Sequence, residues 1–220
     1  MNLICRIFFP VILTFLLFAS PVIAQKDAKA KAILDKSSTM LNQAGGISVS
    51  FTLSINDAIN KMKESFDGQM LLKGEKFFLD TPEQSVYYDG KTQWVYQKTI
   101  EEVSILEPRP QDLQALNPVL VFDLYKNDCD YKYKGEKNDI QKRKVEEISL
   151  FPKGNKDDIR QVDIQINQSD GMPVFFLVIY KNKIENRIYI NKYQTKLNFP
   201  DSQFVFDRKK YPRAEVNDLR

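Results

Sequence analysis

The chain has 220 residues, with 32 Lys and Arg against 29 Asp and Glu, and it contains no histidine. This near balance of charge argues for neither a nucleic acid partner nor a membrane surface, both of which usually go with a clustered cationic excess. The lack of histidine excludes histidine-dependent triads and removes the most common general base and metal ligand. The composition therefore removes the catalytic arrangements that depend on histidine.

The N-terminus has the layout of a secretory signal. Residues 7–19 are almost wholly apolar, and Val22 and Ala24 occupy the two positions that a signal peptidase reads. This pattern predicts that residues 1–24 are a cleaved signal peptide and that residues 25–220 are exported as a single domain. An uncleaved membrane anchor is the alternative, but a span needs about 20 apolar residues and this run is shorter.

The predicted mature chain offers little for catalysis or metal binding. It retains one cysteine, Cys129, so an intramolecular disulfide is not possible within it. Asp128 and Asp130 flank this cysteine, but the segment lacks the spacing and the glycine of a calcium loop, and we interpret it as a polar connector. Residues 46–50 begin like a nucleophile elbow, yet Ser50 stands where glycine is required. We expect no catalytic residue, metal site or cofactor.

A helix is predicted at the start of the mature chain, ending at Gly45 and Gly46. Its apolar face comprises Ala30, Ile33, Leu34, Ser37, Met40 and Leu41.

The rest of the chain is predicted to be mainly β-structure. Residues 47–55 alternate strictly between apolar and polar. Further strands are predicted at residues 66–72, 76–80, 85–88, 93–96, 103–105, 145–151, 159–166, 174–180 and 184–193, with Phe204 and Phe206 in a final extended stretch. About ten sequential strands at hairpin spacing predict one curled antiparallel sheet, an incomplete β-barrel.

A second predicted helix follows Asn117 and Pro118. Residues 119–125 are apolar apart from Asp123, and such a helix must be buried on all sides. We expect it to lie on the concave side of the sheet as a lid, leaving an apolar volume of the kind in which ligand pockets form. The alternative is a solid core of helix and sheet with no cavity.

Several motifs occur in an order that spans nearly the whole mature chain. They are FDGQM at residues 66–70, DGKTQWVY at 89–96, Asn-Pro at 117–118, LFPK at 150–153, and FVF at 204–206 ahead of Pro212 and a VND tail. In order and spacing they resemble the periplasmic outer-membrane lipoprotein carriers (LolA-type).

This resemblance implies a half-barrel whose helices cover an apolar cavity. It further implies a periplasmic monomer without enzymatic activity, which receives a lipoprotein or lipid from an inner-membrane release complex and passes it to an outer-membrane acceptor. A lipid-sensing or interaction module built on the same half-barrel is the alternative, and it would hold a stable protein partner. A hydrolase is a third possibility that no motif supports.

The candidate acyl-chain-binding residues follow from the strand patterns, the lid and this resemblance. They are Val49, Phe51, Leu53, Met70, Leu72, Trp94, Tyr96, Val103, Ile105, Val119, Leu120 and Phe122. Trp94 and Tyr96 share a face of their strand, and they could equally stabilise a hairpin.

Two lysines stand where the family often has an arginine tied to lid closure. Lys73 and Lys76 flank Gly74, and we expect one of them at the cavity rim, bound to the lid or to the cargo headgroup. In a regular strand they would point to opposite faces, so at most one should act unless a bulge at Gly74 realigns them.

Overall fold

The computed structural model describes residues 27–109, 113, 122, 125–126, 129–153 and 159–220. The predicted signal peptide and most of the predicted lid helix, including Val119 and Leu120, lie outside the described residues. Within the described ranges, no helix is both long enough and apolar enough to cross a membrane.

One sheet dominates the structure. Helix α1 is Ala28–Gln43, and the strands are β1 (Gly46–Asp57), β2 (Met62–Lys73), β3 (Lys76–Asp80), β4 (Gln84–Tyr88), β5 (Gln93–Gln97), β6 (Glu102–Leu106), β7 (Cys129–Asn138), β8 (Lys144–Pro152), β9 (Ile159–Asn167), β10 (Pro173–Tyr180), β11 (Ile184–Leu197) and β12 (Glu215–Asp218). The spatial order is β12-β6-β5-β4-β3-β2-β1-β11-β10-β9-β8-β7, so β1 and β11 form the centre. All neighbours are antiparallel except β12, which runs parallel to β6.

The structure confirms the predicted fold class, a single curled antiparallel sheet with an N-terminal helix. The alternating residues of β1 are the clearest case, because Val49 and Phe51 are buried on the concave side while Ser50 and Thr52 lie half-buried on the other side.

Helix α1 lies across one end of the concave face. The Asp27 side chain caps it by accepting the N–H of Ala30 at 3.0 Å, and the same carboxylate accepts the N–H of Tyr133 on edge strand β7 at 2.9 Å. Gly45 then ends the helix with φ of +67°, a conformation that glycine adopts without strain. Met40 is 39% exposed and does not belong to the buried face, contrary to the prediction.

Two predictions for individual segments were wrong. The supposed polar connector around Cys129 is the start of edge strand β7, in which Cys129 and Tyr131 are buried and Asp130 is half-buried. The supposed extended stretch before the tail contains a 3-10 turn, Asp201–Phe204, that places Phe204 in a fully buried position.

The C-terminal segment, residues 199–218, covers part of the convex face. Its aromatic side chains pack against β4 and β5, with the rings of Tyr96 and Tyr211 4.4 Å apart and those of Tyr87 and Phe206 5.8 Å apart. This cluster is separate from the concave core. The curled sheet therefore has one face around the main core and another partly covered by its own C-terminal segment.

Candidate functional site

A cavity of about 310 Å³ lies on the concave face at the centre of the sheet. Most of its wall comes from four neighbouring strands, β2, β1, β11 and β10, and single residues of β3, β4 and β9 and the β3–β4 turn complete it. The lining residues are Val49, Phe51, Leu53, Ile55, Glu64, Phe66, Met70, Leu72, Leu79, Thr81, Glu83, Gln84, Ile159, Phe176, Val178, Tyr180, Asn186, Ile188, Ile190 and Tyr193. Most of these described side chains are apolar, and none of them is a lysine or an arginine.

Burial of the lining residues changes along the strands and shows which end is deep. Met70 and Ile190 are each 2% exposed and Val49 is 5% exposed, all toward the end that α1 covers. Leu53 and Ile55 are only half-buried, toward the β1–β2 turn. Among the described residues the cavity is therefore closed at the helix end and opens toward the β1–β2 and β10–β11 turns.

The few polar groups of the wall are concentrated toward this open end. Asn186 donates to the Tyr180 hydroxyl at 3.4 Å, while its own side-chain oxygen is buried and has no hydrogen-bond partner among the described residues. Glu64 and Glu83 are exposed at the mouth. A ligand that places an N–H or O–H donor beside Asn186 would satisfy this oxygen, which is costly to leave unpaired.

Tyr193 belongs to the deep wall and contributes no charge there. Its hydroxyl donates to the carbonyl oxygen of Pro173 at 2.8 Å. Burial raises the pKa of this phenol well above its usual value, so the side chain stays neutral. The wall is thus uncharged in its deep part, as an apolar guest requires.

The structure places five of the predicted acyl-chain-binding residues together. Val49, Phe51, Leu53, Met70 and Leu72 all line the cavity. Phe122 is 2% exposed and belongs to the same concave core, although it is not among the lining residues.

Four other predicted residues lie on the opposite face of the sheet and do not line this cavity. Tyr96 and Val103 are buried on the convex side against Ala214, and Trp94 packs against the same cluster. Ile105 pairs directly with Trp94 across β5 and β6 and so shares its face. The alternation of β5 shows that Trp94 and Tyr96 lie on the same face of the sheet, but it does not show whether that face is concave or convex. In the structure Val95 is the residue of β5 that packs on the concave core.

The positions of Lys73 and Lys76 also differ from the prediction that one of them lies at the cavity rim. They are paired across the β2–β3 hairpin and share the convex face, because Gly74 and Glu75 form the turn between them. Both ammonium groups bind the carboxylate of Asp201, at 2.9 and 2.8 Å, and Lys73 also donates to the carbonyl oxygen of Phe199 at 2.8 Å. Within the described residues they hold the C-terminal segment and do not reach the cavity rim.

Sequence reasoning missed the half of the wall that comes from β10 and β11. Phe176, Val178, Ile188 and Ile190 line the cavity opposite the predicted residues. Both strands were predicted from the sequence, but their alternation does not show which set of alternate residues faces the concave side of the sheet. The pairing of β1 with β11, in which Phe51 faces Ile190 and Leu53 faces Ile188, selects the concave face, and that pairing joins segments far apart in sequence.

The cavity has the features of a binding site for a hydrophobic guest, with no feature of a catalytic centre among the described residues. No cluster of three or more metal-binding side chains occurs in the described part of the chain. A curled sheet around an apolar cavity that is uncharged in its deep part and open at one end is the architecture of a protein that binds a hydrophobic ligand.

Comparison with known proteins identifies the family. Residues 20–150 match the model of the family "Outer membrane lipoprotein carrier protein LolA", and the chain belongs to this family. It is 27% identical over 184 residues to the outer-membrane lipoprotein carrier proteins of two strains of Histophilus somni, 2336 and 129Pt, with 82% of this chain and 84% of each relative covered. Among solved structures, an uncharacterised conserved protein from Thermus thermophilus has a similar fold, with a TM-score of 0.58, 12% identity, and 86% of this chain and 99% of that chain covered.

Proposed function

We propose that this protein shields the acyl chains of a lipoprotein or lipid in its concave cavity and carries them across the periplasm from the inner to the outer membrane. The observation that carries the proposal is the apolar cavity, which is deep and uncharged at the α1 end and open at the other. The proposed role is binding and transfer without chemistry. Its partners would be an inner-membrane release complex and an outer-membrane acceptor.

The energetics of acyl chains explain why a carrier would have this kind of cavity. Burying one sixteen-carbon chain is worth on the order of 12 kcal/mol at about 0.8 kcal/mol per methylene group. A cavity of about 310 Å³ is at the small end of ligand pockets, which span about 300–1,000 Å³. It therefore buries part of a chain as it stands, and cargo with several chains requires the wall to widen.

The wall contains side chains that suit such adjustment. Met70 is unbranched and flexible, and Leu53 and Ile55 near the mouth are only half-buried. A ligand held by an adjustable wall is released more easily than one held by a rigid, complementary wall, because part of the burial energy is spent in opening the wall. Release matters as much as binding for a carrier.

The test compares two tryptophan substitutions at neighbouring positions of β1. Leu53→Trp places an indole inside the cavity, whereas Ser54→Trp places the same group on the convex side of the strand. Both variants are assayed for release of a triacylated lipoprotein from inner-membrane vesicles and for delivery to outer-membrane vesicles. We expect Leu53→Trp to fold but to lose release and delivery, and Ser54→Trp to retain both. A folded Leu53→Trp variant that transfers as well as the parent would refute the proposal.

A further inference from the structure

Two turns next to the cavity mouth lie side by side in space. Residues 58–61 connect β1 to β2, and residues 181–183 connect β10 to β11. They are neighbours because Asp57 pairs with Ile184 at the ends of β1 and β11. We define residues 58–63 and 181–184 as the tip surface.

The tip surface is basic although the whole chain is nearly neutral. It contains four exposed lysines, Lys61, Lys63, Lys181 and Lys183. The acidic residues directly beside it are Asp57, whose buried carboxylate is bound by the β1–β2 turn, the exposed Glu64, and Glu185. None of the four forms an ion pair with another residue of the described part of the chain, and Glu185, just beyond, is occupied by Arg187 at 2.7 Å. The lysine charges are therefore available to an external anionic partner.

Exposed apolar side chains lie among these lysines. Ile59 is 63% exposed and Met62 is 43% exposed. The turn that carries Ile59 is well ordered, because the carboxylate of Asp57 accepts the N–H groups of Ile59 at 2.9 Å and Asn60 at 3.0 Å. The hydrogen-bonded turn thus holds Ile59 in an exposed position, so that little conformational entropy is lost when this side chain contacts a partner.

The β1–β2 hairpin also projects beyond its neighbour. Strand β3 pairs with β2 only from Gln69 to Lys73, so residues 62–68 have no β3 partner on that side. Seven residues of strand extend about 23 Å at roughly 3.3 Å each. The β1–β2 part of the tip surface therefore extends beyond the β3–β4 turn beside it.

We propose that the tip surface docks the protein on an anionic phospholipid bilayer, with the cavity mouth facing the membrane. Isolated apolar side chains among lysines are typical of interfacial membrane contact, since the apolar groups enter the headgroup region while the ammonium groups bind lipid phosphates. An acidic protein partner would also attract the lysines, but the two separate apolar residues of the tip surface do not form the contiguous apolar patch that a protein interface usually has at its core. The inference rests on the proposed carrier function, because docking at the mouth would let an acyl chain enter or leave without crossing water.

The test measures cosedimentation of the exported protein with vesicles of phosphatidylethanolamine and phosphatidylglycerol, and with vesicles of phosphatidylcholine alone. One variant combines Lys61→Gln and Lys63→Gln, and a second combines Ile59→Ser and Met62→Ser. The matched controls lie elsewhere on the surface: Ile140→Ser, at a site 74% exposed in the β7–β8 turn, and Lys209→Gln with Lys210→Gln. Acyl-chain binding by the cavity is measured separately with a fluorescent fatty acid.

We expect the parent to bind the anionic vesicles more tightly than the phosphatidylcholine vesicles, and to bind less as salt rises. Because a lysine near an anionic surface contributes about fivefold in affinity, the double lysine variant should bind at least about tenfold more weakly. The apolar variant should also bind more weakly, whereas the controls should bind as the parent does. The docking proposal would be overturned if the parent protein did not bind anionic vesicles, or if the tip variants bound them as well as the controls do. Loss of vesicle binding with intact fatty acid binding separates this result from a failure of the carrier proposal.

Discussion

Phe51 lies directly across the β1–β2 pair from Gly68, and a Cβ on residue 68 would be only 2.4 Å from Cζ of Phe51. The absence of a side chain at this position is what allows the ring to lie flat on β2 and form part of the cavity wall. The glycine in the FDGQM motif therefore has a direct structural connection to the cavity.

Gly68→Ala should push the Phe51 ring into the cavity and weaken acyl-chain binding. Overpacking a core usually costs about 1 to 3 kcal/mol of stability, and adjacent empty space should keep this case at the low end. Fluorescent fatty acid binding and denaturant unfolding measure the two effects separately. Adding Phe51→Leu to Gly68→Ala should restore binding, and a double variant as defective as Gly68→Ala would show that the contact is not the cause.

Asp201→Asn should release the C-terminal segment from Lys73 and Lys76. These two lysines lower the pKa of the Asp201 carboxyl to about 2. Because the pKa is lowered in the folded state, the ion pairs contribute stability above about pH 4, and that contribution is lost as the pH falls through the folded-state value.

The parent should therefore lose more stability than Asp201→Asn between about pH 4 and pH 2, and the two should become similar at the acidic end. Thermal unfolding across this range measures the difference, and high salt should reduce it because the groups are exposed. Parallel curves for the two proteins would contradict the assignment.

Tyr96→Ala should destabilise the convex cluster without affecting the cavity. The ring is 7% exposed and packs against Phe206 and Tyr211. Loss of a buried aromatic side chain costs about 3 kcal/mol or more. Hydrogen exchange should become faster in residues 205–218, while fatty acid binding stays at the parental level. If Tyr96→Ala bound fatty acid more weakly while its stability was unchanged, Tyr96 would have to line the cavity, and the structure would be contradicted.

Phe122→Asp should destabilise the protein strongly, because the side chain is 2% exposed within the concave core. An unpaired carboxylate in such a site costs several kcal/mol. Phe151→Asp is the matched control, since Phe151 is 38% exposed and its substitution, which places a carboxylate opposite Asp130, should cost no more than about 1 kcal/mol. Similar denaturation midpoints for the two variants would show that Phe122 is not part of the core.

The sequence predicts the positions of individual strands better than it predicts which face of each strand lies on the concave side of the sheet. Residues 76–80 were predicted with the bounds that β3 has, since a short apolar run between turn signals is a strong local pattern. The face of Trp94 and Tyr96 depends instead on the C-terminal segment, which returns more than a hundred residues later to cover them. Local alternation contains no information about such a distant contact.

Two further differences have local causes. Lys73 and Lys76 were treated as members of one strand, but the turn at Gly74 makes them a cross-strand pair, and a pair shares one face. Strand β7 was overlooked because its outward residues are charged, although Cys129, Tyr131 and Tyr133 alternate with Asp130 and lysines as an edge strand requires. The overall charge balance likewise concealed the basic tip surface, whose lysines come from two separate turns.

The most direct test of the account is photocrosslinking with a sixteen-carbon fatty acid that has a diazirine near its terminal methyl group, followed by mass spectrometry of the labelled peptides. We expect labels on deep lining residues such as Val49, Met70 and Ile190, competition by unlabelled fatty acid, and loss of labelling in Leu53→Trp. Labels concentrated on the convex cluster around Trp94 and Tyr96, or no labelling that competes, would contradict the claim that the concave cavity holds the acyl chain.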